Sequence, residues 1–229
     1  MEDDEAWIDC NDDDLWIFDK CILSRKLKYN CGPVDVDVPE SNFYVVRPCV
    51  NLAGMGRGAQ IRYLEKETTH LPPGHFWCEI FEGRHISVDF KLNNKSRTYS
   101  QDLTVEGFRD KKNPLWKFDK WIRVNDTIEF PKILTQLKGN YSTINCEFID
   151  DKLIEVHLRQ NDDMGEFNEI IPVWENETVD YLKEKGFETP KIGIILGTGL
   201  GQLIHEIEII SEVSYNHIPN FPTATVEFH

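Results

Sequence analysis

Two carboxylates occupy positions that a β-hairpin would bring together. In Ile144-Asn145-Cys146-Glu147-Phe148-Ile149 and Leu153-Ile154-Glu155-Val156-His157-Leu158-Arg159, the side chains of an extended chain alternate between two faces. Glu155, His157 and Arg159 share one face, and Ile154, Val156 and Leu158 the other. A loop at 150–152 sets Glu147 directly opposite Glu155. Like charges facing each other across strands destabilise a sheet. A divalent cation between them removes that penalty, and carboxylate oxygens are donors that Mg²⁺ takes. His157 adds an imidazole as a further ligand or donor. Arg159 adds a guanidinium within reach of a phosphoryl oxygen. The same pattern equally describes an ordinary hairpin with a solvated polar face, its acids balanced by Arg159 or Lys152.

A second group suits phosphate. Arg47 stands at the end of the β-branched and aromatic run Phe43-Tyr44-Val45-Val46-Arg47-Pro48, and Gly54-Met55-Gly56-Arg57-Gly58-Ala59 follows. Glycines at 54, 56 and 58 let backbone N–H groups approach phosphate oxygens, while Arg47 and Arg57 supply positive charge. No G-K-[ST] follows, so this is not a P-loop, and G-x-G-x-G is not the dinucleotide spacing. A flexible hairpin loop would have the same composition.

These groups need strands and loops to position them. Residues 1–14 read as an acidic, solvated leader, with Trp7-Ile8 pointing to a part of it that docks. Leu15 to Leu27 has near-helical spacing and ends before the turn signal Asn30-Cys31-Gly32-Pro33. Phe76 to Phe81 and His85 to Phe90 predict two strands around a Glu82-Gly83-Arg84 turn. Residues 91–143 are less regular, with a predicted helix near Pro131 to Leu137. Further on, Asn176 is placed to cap a helix over Thr178 to Lys185, with Gly186 at its C-terminal end. A strand, Ile192 to Leu196, then runs into Gly197-Thr198-Gly199-Leu200-Gly201, which is α/β grammar. His70, His75 and His85 lack metal-ligand spacing and read as surface or core histidines. Trp116 and Trp121 read as packing residues.

Composition narrows the function. The chain has 229 residues, 40% of them hydrophobic, enough for a sizeable core. Lys plus Arg number 25 against 40 Asp plus Glu, a net charge of −15, which disfavours nucleic acid and anionic membrane as partners. Nine of the acids fall within residues 1–20, so the excess is concentrated at the start. The first residues are anionic and lack the apolar stretch of a signal peptide. Six cysteines without a C-x-x-C pair read as reduced thiols, which points to the cytoplasm.

Taken in order, these segments resemble an ATP-grasp domain, the nucleotide-binding fold of carboxylate–amine ligases. The likeness runs over roughly 17–174. It begins at Asp19-Lys20 and passes through Val45-Val46-Arg47-Pro48 and the Gly54 to Ala59 loop. It continues in Trp77-Cys78-Glu79-Ile80-Phe81, Gly83-Arg84-His85-Ile86-Ser87-Val88-Asp89, Cys146-Glu147-Phe148 and Glu155-Val156-His157-Leu158-Arg159. The resemblance implies an α+β architecture of antiparallel sheets with helices, and ATP and Mg²⁺ as cofactors. It implies a small-molecule carboxylate and an amine as substrates, joined through an acyl phosphate. Lys20, Arg47, Gly54, Gly56, Arg57 and Gly58 would bind phosphates, and Glu79, Ile80 and Phe81 would frame adenine. Glu147, Glu155 and His157 would hold the metal, with Arg47 and Arg159 as the catalytic cations. Arg47 replaces the family's Lys, and His157 its Asn. The family's preceding substrate-recognising domain has no counterpart, which suggests a partner chain that supplies it, or a nucleotide-binding module without catalysis.

The last segment resembles the opening of purine nucleoside phosphorylase, a glycosyltransferase. The likeness covers Lys191 to Gly201, Tyr215-Asn216-His217-Ile218-Pro219-Asn220-Phe221-Pro222, and Thr223 to His229. It implies phosphate binding by Thr198 and His229, and is expected to be an incomplete, inactive piece of such an enzyme. The domains expected are thus a 1–16 leader, a 17–174 ATP-grasp-like domain, and a 175–229 strand–turn–helix α/β segment.

Overall fold

Asp19 decides where the first helical stretch breaks. Its backbone is extended (φ −92°, ψ 104°), and its carboxylate accepts the Ile22 amide at 3.0 Å, capping α2 (Lys20–Lys26). Leu15 to Leu27, expected as one run, is therefore split between a 3₁₀ turn over Asp12–Phe18 and α2. A short helix, α1 (Asp3–Ile8), precedes both. This computed structural model describes residues 3–50, 56–161, 163–172, 175–187, 212–214 and 217–218. It divides into two units, Met1–Ile171 and Pro172–His229.

The first unit is built on two antiparallel sheets. β1 (Cys31–Pro33), β2 (Asn42–Pro48), β3 (Gln60–Leu64) and β4 (His75–Cys78) form a four-stranded sheet in the order β1-β4-β2-β3. β5 (His85–Asn93), β6 (Thr98–Phe108), β7 (Lys120–Arg123), β8 (Thr143–Ile149), β9 (Lys152–His157) and β10 (Glu169–Ile170) form a six-stranded one in the order β10-β7-β6-β5-β8-β9. Antiparallel sheets with few helices agree with the ATP-grasp-like architecture expected.

Several elements differ from expectation. β4 and β5 do not pair around Glu82-Gly83-Arg84 but enter different sheets. Gly83 links them at φ +136°, where a Cβ would lie 2.2 Å from the Asp150 carboxyl group that accepts the Arg84 amide. The irregular stretch 91–143 contains the long strand β6. Its alternation is interrupted where Asp89 pairs with Leu103 but Phe90 with Gln101, leaving Asp102 as a bulge. The segment Pro131 to Leu137 holds only a 3₁₀ turn, Lys132–Gln136. The leader is not simply solvated, because Asp3, Ala6 and Asp14 are buried in the first unit. The Asp14 carboxylate accepts the amides of Lys138 and Gly139 and the Tyr141 hydroxyl, which ties the leader to the end of the second 3₁₀ turn.

The core lies against one face of the six-stranded sheet. Ile86, Val88 and Phe90 of β5, Ile144, Cys146 and Phe148 of β8, and Val156 of β9 bury against Ile17, Phe18, Leu23 and Leu134. The opposite face of the same strands is polar and carries the candidate site. In the second unit, α3 spans Glu175–Glu184, so Asn176 lies inside the helix and is not its cap. Gly186 ends it at φ +92°, with the Phe187 amide returning to the Leu182 carbonyl at 2.9 Å. The strand expected over Ile192 to Leu196 and its glycine turn lie outside the described residues. Phe90, 1% exposed and edge-on to Phe130 at 5.2 Å, anchors the core. Phe90→Ala is expected to cost about 3–5 kcal/mol, read as a lower urea midpoint at unchanged slope.

Candidate functional site

The opposition of the two carboxylates comes about differently from the route that spacing implies. β8 and β9 turn at Asp150 and Asp151, with Asp150 in the left-handed region at φ +50°. Ile149 pairs with Lys152 and Phe148 with Leu153, and the register then shifts so that Glu147 faces Glu155. Ile154 is the extra residue. A shorter turn plus a bulge thus gives the same facing pair as the longer loop expected, and Asn145 faces His157 beside it.

The bulge has a second effect. The Arg47 guanidinium, from the end of β2, donates to the Ile154 carbonyl at 2.9 Å and lies over the Phe76 ring at 5.2 Å. Arg47 therefore joins the four-stranded sheet to the edge strand of the six-stranded one. From α2, Lys20 reaches the same edge, with Nζ donating to Glu155 Oε1 at 3.4 Å. Lys20 is only 3% exposed. Burial lowers its pKa, with Glu155 pulling the other way and Arg47 adding to the fall.

Charge around the pair is balanced by protein groups. His85 Nε2 lies 3.0 Å from Glu147 Oε2. His157 Nε2 lies 3.6 Å from Glu155 Oε1 and 3.9 Å from Glu147 Oε1. Burial opposes the charge on Glu147, but the His85 hydrogen bond and the potential of His85, His157 and Lys20 outweigh it, holding its pKa at about 2. Burial also opposes a proton on His157. Its hydrogen bond with Asp3 and the nearby Glu155 and Glu147 carboxylates prevail and raise its pKa.

Asp3 completes the arrangement from the leader. Its Oδ1 lies 3.0 Å from His157 Nδ1 and accepts Arg159 Nε at 2.7 Å, while Oδ2 accepts Arg159 Nη2 at 3.4 Å. Burial raises the pKa of this carboxyl group, yet the hydrogen bonds from His157 and Arg159 overcome it and bring the value to about 2. An internal carboxylate thus occupies the guanidinium that the resemblance assigns to a phosphoryl group. Asp3, Lys20, Glu155 and His157, with Ile17, Phe18 and Val156, enclose a cavity of about 10 Å³, roughly one water.

The donor chemistry bears on Mg²⁺ in two ways. Facing carboxylates are suitable hard oxygen donors, and Mg²⁺ commonly uses one or two of them together with water and phosphate oxygens. Among the described residues, however, no group of three or more His, Cys, Asp or Glu side chains is arranged to hold a metal ion. His157 is engaged through Nδ1 by Asp3, and the carboxylates around it raise its pKa. Glu147 and Glu155 fit the ion; the three-ligand set expected with His157 is not assembled.

The other expected site residues are dispersed. Glu79 accepts the Asn30 amide on its side chain at 2.8 Å and donates its own amide to the Asn30 carbonyl at 2.9 Å. Phe81 meets the Tyr29 ring edge-on at 4.7 Å, and Ile80 lies between the two, partly buried. Gly56 and Gly58 adopt φ +57° and +93°, and Arg57 lies 5.8 Å over the Trp116 ring. Gly54, Thr198 and His229 lie outside the described residues.

Sequence reasoning missed three contributors. His85, read as a background histidine, contacts Glu147; its alternation with Ser87 and Asp89 placed it on the polar face. Asp3 carries no local signal, because it is 154 positions from His157. The third is a buried extension of the polar face, in which Asn145 Nδ2 donates to Ser87 Oγ at 2.8 Å and to Asp89 Oδ1 at 2.7 Å. The Asn161 amide donates to the same Asp89 carboxyl group at 3.1 Å. Burial pushes the Asp89 pKa up to about 6, against the lowering effect of Asn145.

Among solved structures, the neighbours of this fold are ATP-grasp proteins. An L-amino acid ligase from Bacillus licheniformis matches at TM-score 0.41 and 13% identity, over 63% of this chain and 41% of its own. A D-alanine–D-alanine ligase from Bacillus anthracis matches at 0.36 and 14%, over 66% of this chain and 59% of its own. No family model matches the chain. Curated relatives are similar over a shorter part. Purine nucleoside phosphorylase 1 from Geobacillus stearothermophilus is 51% identical over 53 residues, which is 23% of this chain and 19% of that protein. Its namesake from Bacillus subtilis is 51% identical over 49 residues, 18% of its length. The chain thus spans less than a fifth of these curated relatives.

Asp89 gives this face a pH dependence of known sign. Its folded pKa of about 6 lies above the ordinary 3.8, so the folded state holds the proton more tightly. Its contribution is whole below pH 3.8 and is lost as pH rises through 6, a change of about 3 kcal/mol. Asp3 and Glu147 act oppositely: their stability is present above 3.8 and 4.5 and is lost as pH falls through about 2. Asp89→Asn is expected to remove most of the decline between pH 4.5 and 7 in denaturant-derived stability. A wild-type slope in the variant would assign that decline to other groups.

Proposed function

We propose that the Met1–Ile171 unit is an ATP- and Mg²⁺-dependent ligase module of ATP-grasp type. In this reading it activates a small-molecule carboxylate as an acyl phosphate, which an amine then attacks. The observation that carries it is the facing Glu147–Glu155 pair, with Lys20 and Arg47 arriving at the same strand edge from α2 and β2. Two acids and two cations from separate elements suit a bound polyphosphate and its cation better than they suit a solvated hairpin. The ordered resemblance of the segments from Asp19 to Arg159 supports the same reading.

The residues would divide the work. Glu147 and Glu155 would hold Mg²⁺, which supplies neutralisation of charge on the transferring phosphoryl group. Lys20 would exchange Glu155 for a phosphate oxygen, at little cost because its ammonium is already desolvated. Arg47 and the amides of Gly54 to Gly58 would bind the remaining phosphates, and backbone groups of Glu79, Ile80 and Phe81 would face adenine. Arg159 would orient the developing acyl phosphate once the Asp3 carboxylate leaves it. The proposed partners are the acid, the amine and a second chain that supplies a substrate-binding domain, in the cytoplasm, with neither nucleic acid nor membrane. No helix among the described residues is long and apolar enough to cross a membrane.

A second reading belongs to Pro172–His229 and is favoured by the 51% identity over 53 residues to a purine nucleoside phosphorylase. There Thr198 and His229 would bind phosphate. The matched length is under a fifth of that enzyme, so phosphorolysis of inosine by this chain is expected to be undetectable. Release of hypoxanthine in a phosphate-dependent assay would reverse that expectation.

The ligase reading is tested by thermal unfolding. Saturating ATP with Mg²⁺ is expected to raise Tm by about 5 °C, and Glu155→Gln to abolish the increment. The variant also strands the buried Lys20 and starts from a lower Tm, so the nucleotide-dependent difference is what counts. No shift in the wild type at millimolar nucleotide defeats the reading. A shift without release of ADP or phosphate from any acid–amine pair would leave a nucleotide-binding module without catalysis.

A further inference from the structure

The site above uses none of the six cysteines, all of which are free thiols. Four of them meet in one place. Cys21 on α2, Cys31 on β1, Cys49 just after β2 and Cys78 on β4 pack together with Phe76, Tyr29 and Phe81. The backbone enforces the meeting. The Lys20 amide donates to the Cys49 carbonyl at 2.8 Å, which brings Cys49 to the first turn of α2. The Cys31 thiol points at the Cys21 carbonyl at 4.0 Å, and Cys31 faces Cys78 across the β1–β4 ladder. Cys21 stands among the others, and its side chain interacts with those of both Cys31 and Cys49.

We propose that Cys31 and Cys21 form an oxidisable dithiol, in which Cys31 reacts first with hydrogen peroxide and Cys21 closes a disulfide between β1 and α2. The Cys31 thiolate attacks one peroxide oxygen and the O–O bond breaks, giving a sulfenic acid at Cys31 and hydroxide. The Cys21 sulfur then attacks the Cys31 sulfur, forming the S–S bond as water leaves with the proton from Cys21. Two thiols lose two electrons, and one peroxide becomes two waters.

The electrostatics assign these roles. The Cys21 hydrogen bond, with Arg25 nearby, holds the Cys31 thiol below its ordinary pKa despite burial. The same bond pushes Cys21 up to about 11. Cys49 is raised by its bond to Cys21, and burial raises Cys10, Cys78 (to about 11) and Cys146. Cys31 is therefore the thiol held lowest, it is partly exposed, and its sulfur points at the backbone of Cys21, the residue whose thiol would close the bridge. Cys146 is fully buried, which denies it to a solvent oxidant.

The test needs neither ATP nor substrate, so it is independent of the proposed function. The reduced full chain is treated with roughly equimolar hydrogen peroxide, capped with N-ethylmaleimide and mapped by peptide mass spectrometry. The expected product is a Cys21–Cys31 disulfide that dithiothreitol reverses. Cys21→Ser is expected to leave a sulfenic acid at Cys31 that dimedone traps. Cys31→Ser is expected to slow peroxide-driven thiol loss about tenfold. A bridge to Cys49 or Cys78, first oxidation at Cys10, or six thiols still open to maleimide overturns the proposal. Should a serine variant not fold, the wild-type peptide map decides alone.

Discussion

Two negative charges facing each other on adjacent strands set the terms for the rest of this molecule. Glu147 and Glu155 cannot share the edge of a sheet unless positive charge comes to them. The groups that come to them arrive from three directions: the Lys20 ammonium from a helix start, the His85 imidazole as a hydrogen-bond partner from the neighbouring strand, and His157 from two residues along the same strand. The imidazole of His157 then requires its own counter-charge, which Asp3 supplies while also holding Arg159. Each added ion answers the one before it. The result is a closed network around a space the size of one water molecule.

The bulge at Ile154 links this network to the architecture. It restores the register that keeps the two acids opposite, and its carbonyl receives Arg47 from the other sheet. Charge balance and sheet-to-sheet attachment therefore meet at one residue of irregular backbone. The cap at Asp19 works to the same end, because starting α2 there is what directs Lys20 toward β9. A cationic group is set beside two acids by rigid elements, and these groups satisfy one another.

Much of the candidate site was legible because strand alternation is strict. Period two put Glu155, His157 and Arg159 on one face, and the coordinates set Glu147 opposite Glu155 and Asn145 opposite His157. The same logic reached β2, β5 and β8, while in β9 the bulge at Ile154 interrupts the alternation. It did not reach β6, where the bulge at Asp102 breaks the period and polar residues such as Thr98, Ser100 and Gln101 mask a strand that is half exposed. It also misjudged Phe76 to Phe81 and His85 to Phe90 as partners, since proximity in sequence favours a hairpin. The positive φ of Gly83 and the Asp150 carboxyl group beside it send the two strands to different sheets.

The sequence by itself determined which side chains could face one another locally and that the two acids of the hairpin would lie opposite each other, though not the start of α2 or the bulge that sets the register. What it determined follows from interactions spanning a few residues, namely alternation and turns. Only the tertiary structure decided what neutralises the acids. Asp3, Lys20 and His85 lie 154, 135 and 62 positions from their partners, and no local rule connects such distances. Charge complementarity is a property of the folded surface, because a buried ion accepts whichever opposite charge the packing brings within reach. The leader, read as a solvated acidic run, became part of the site for that reason.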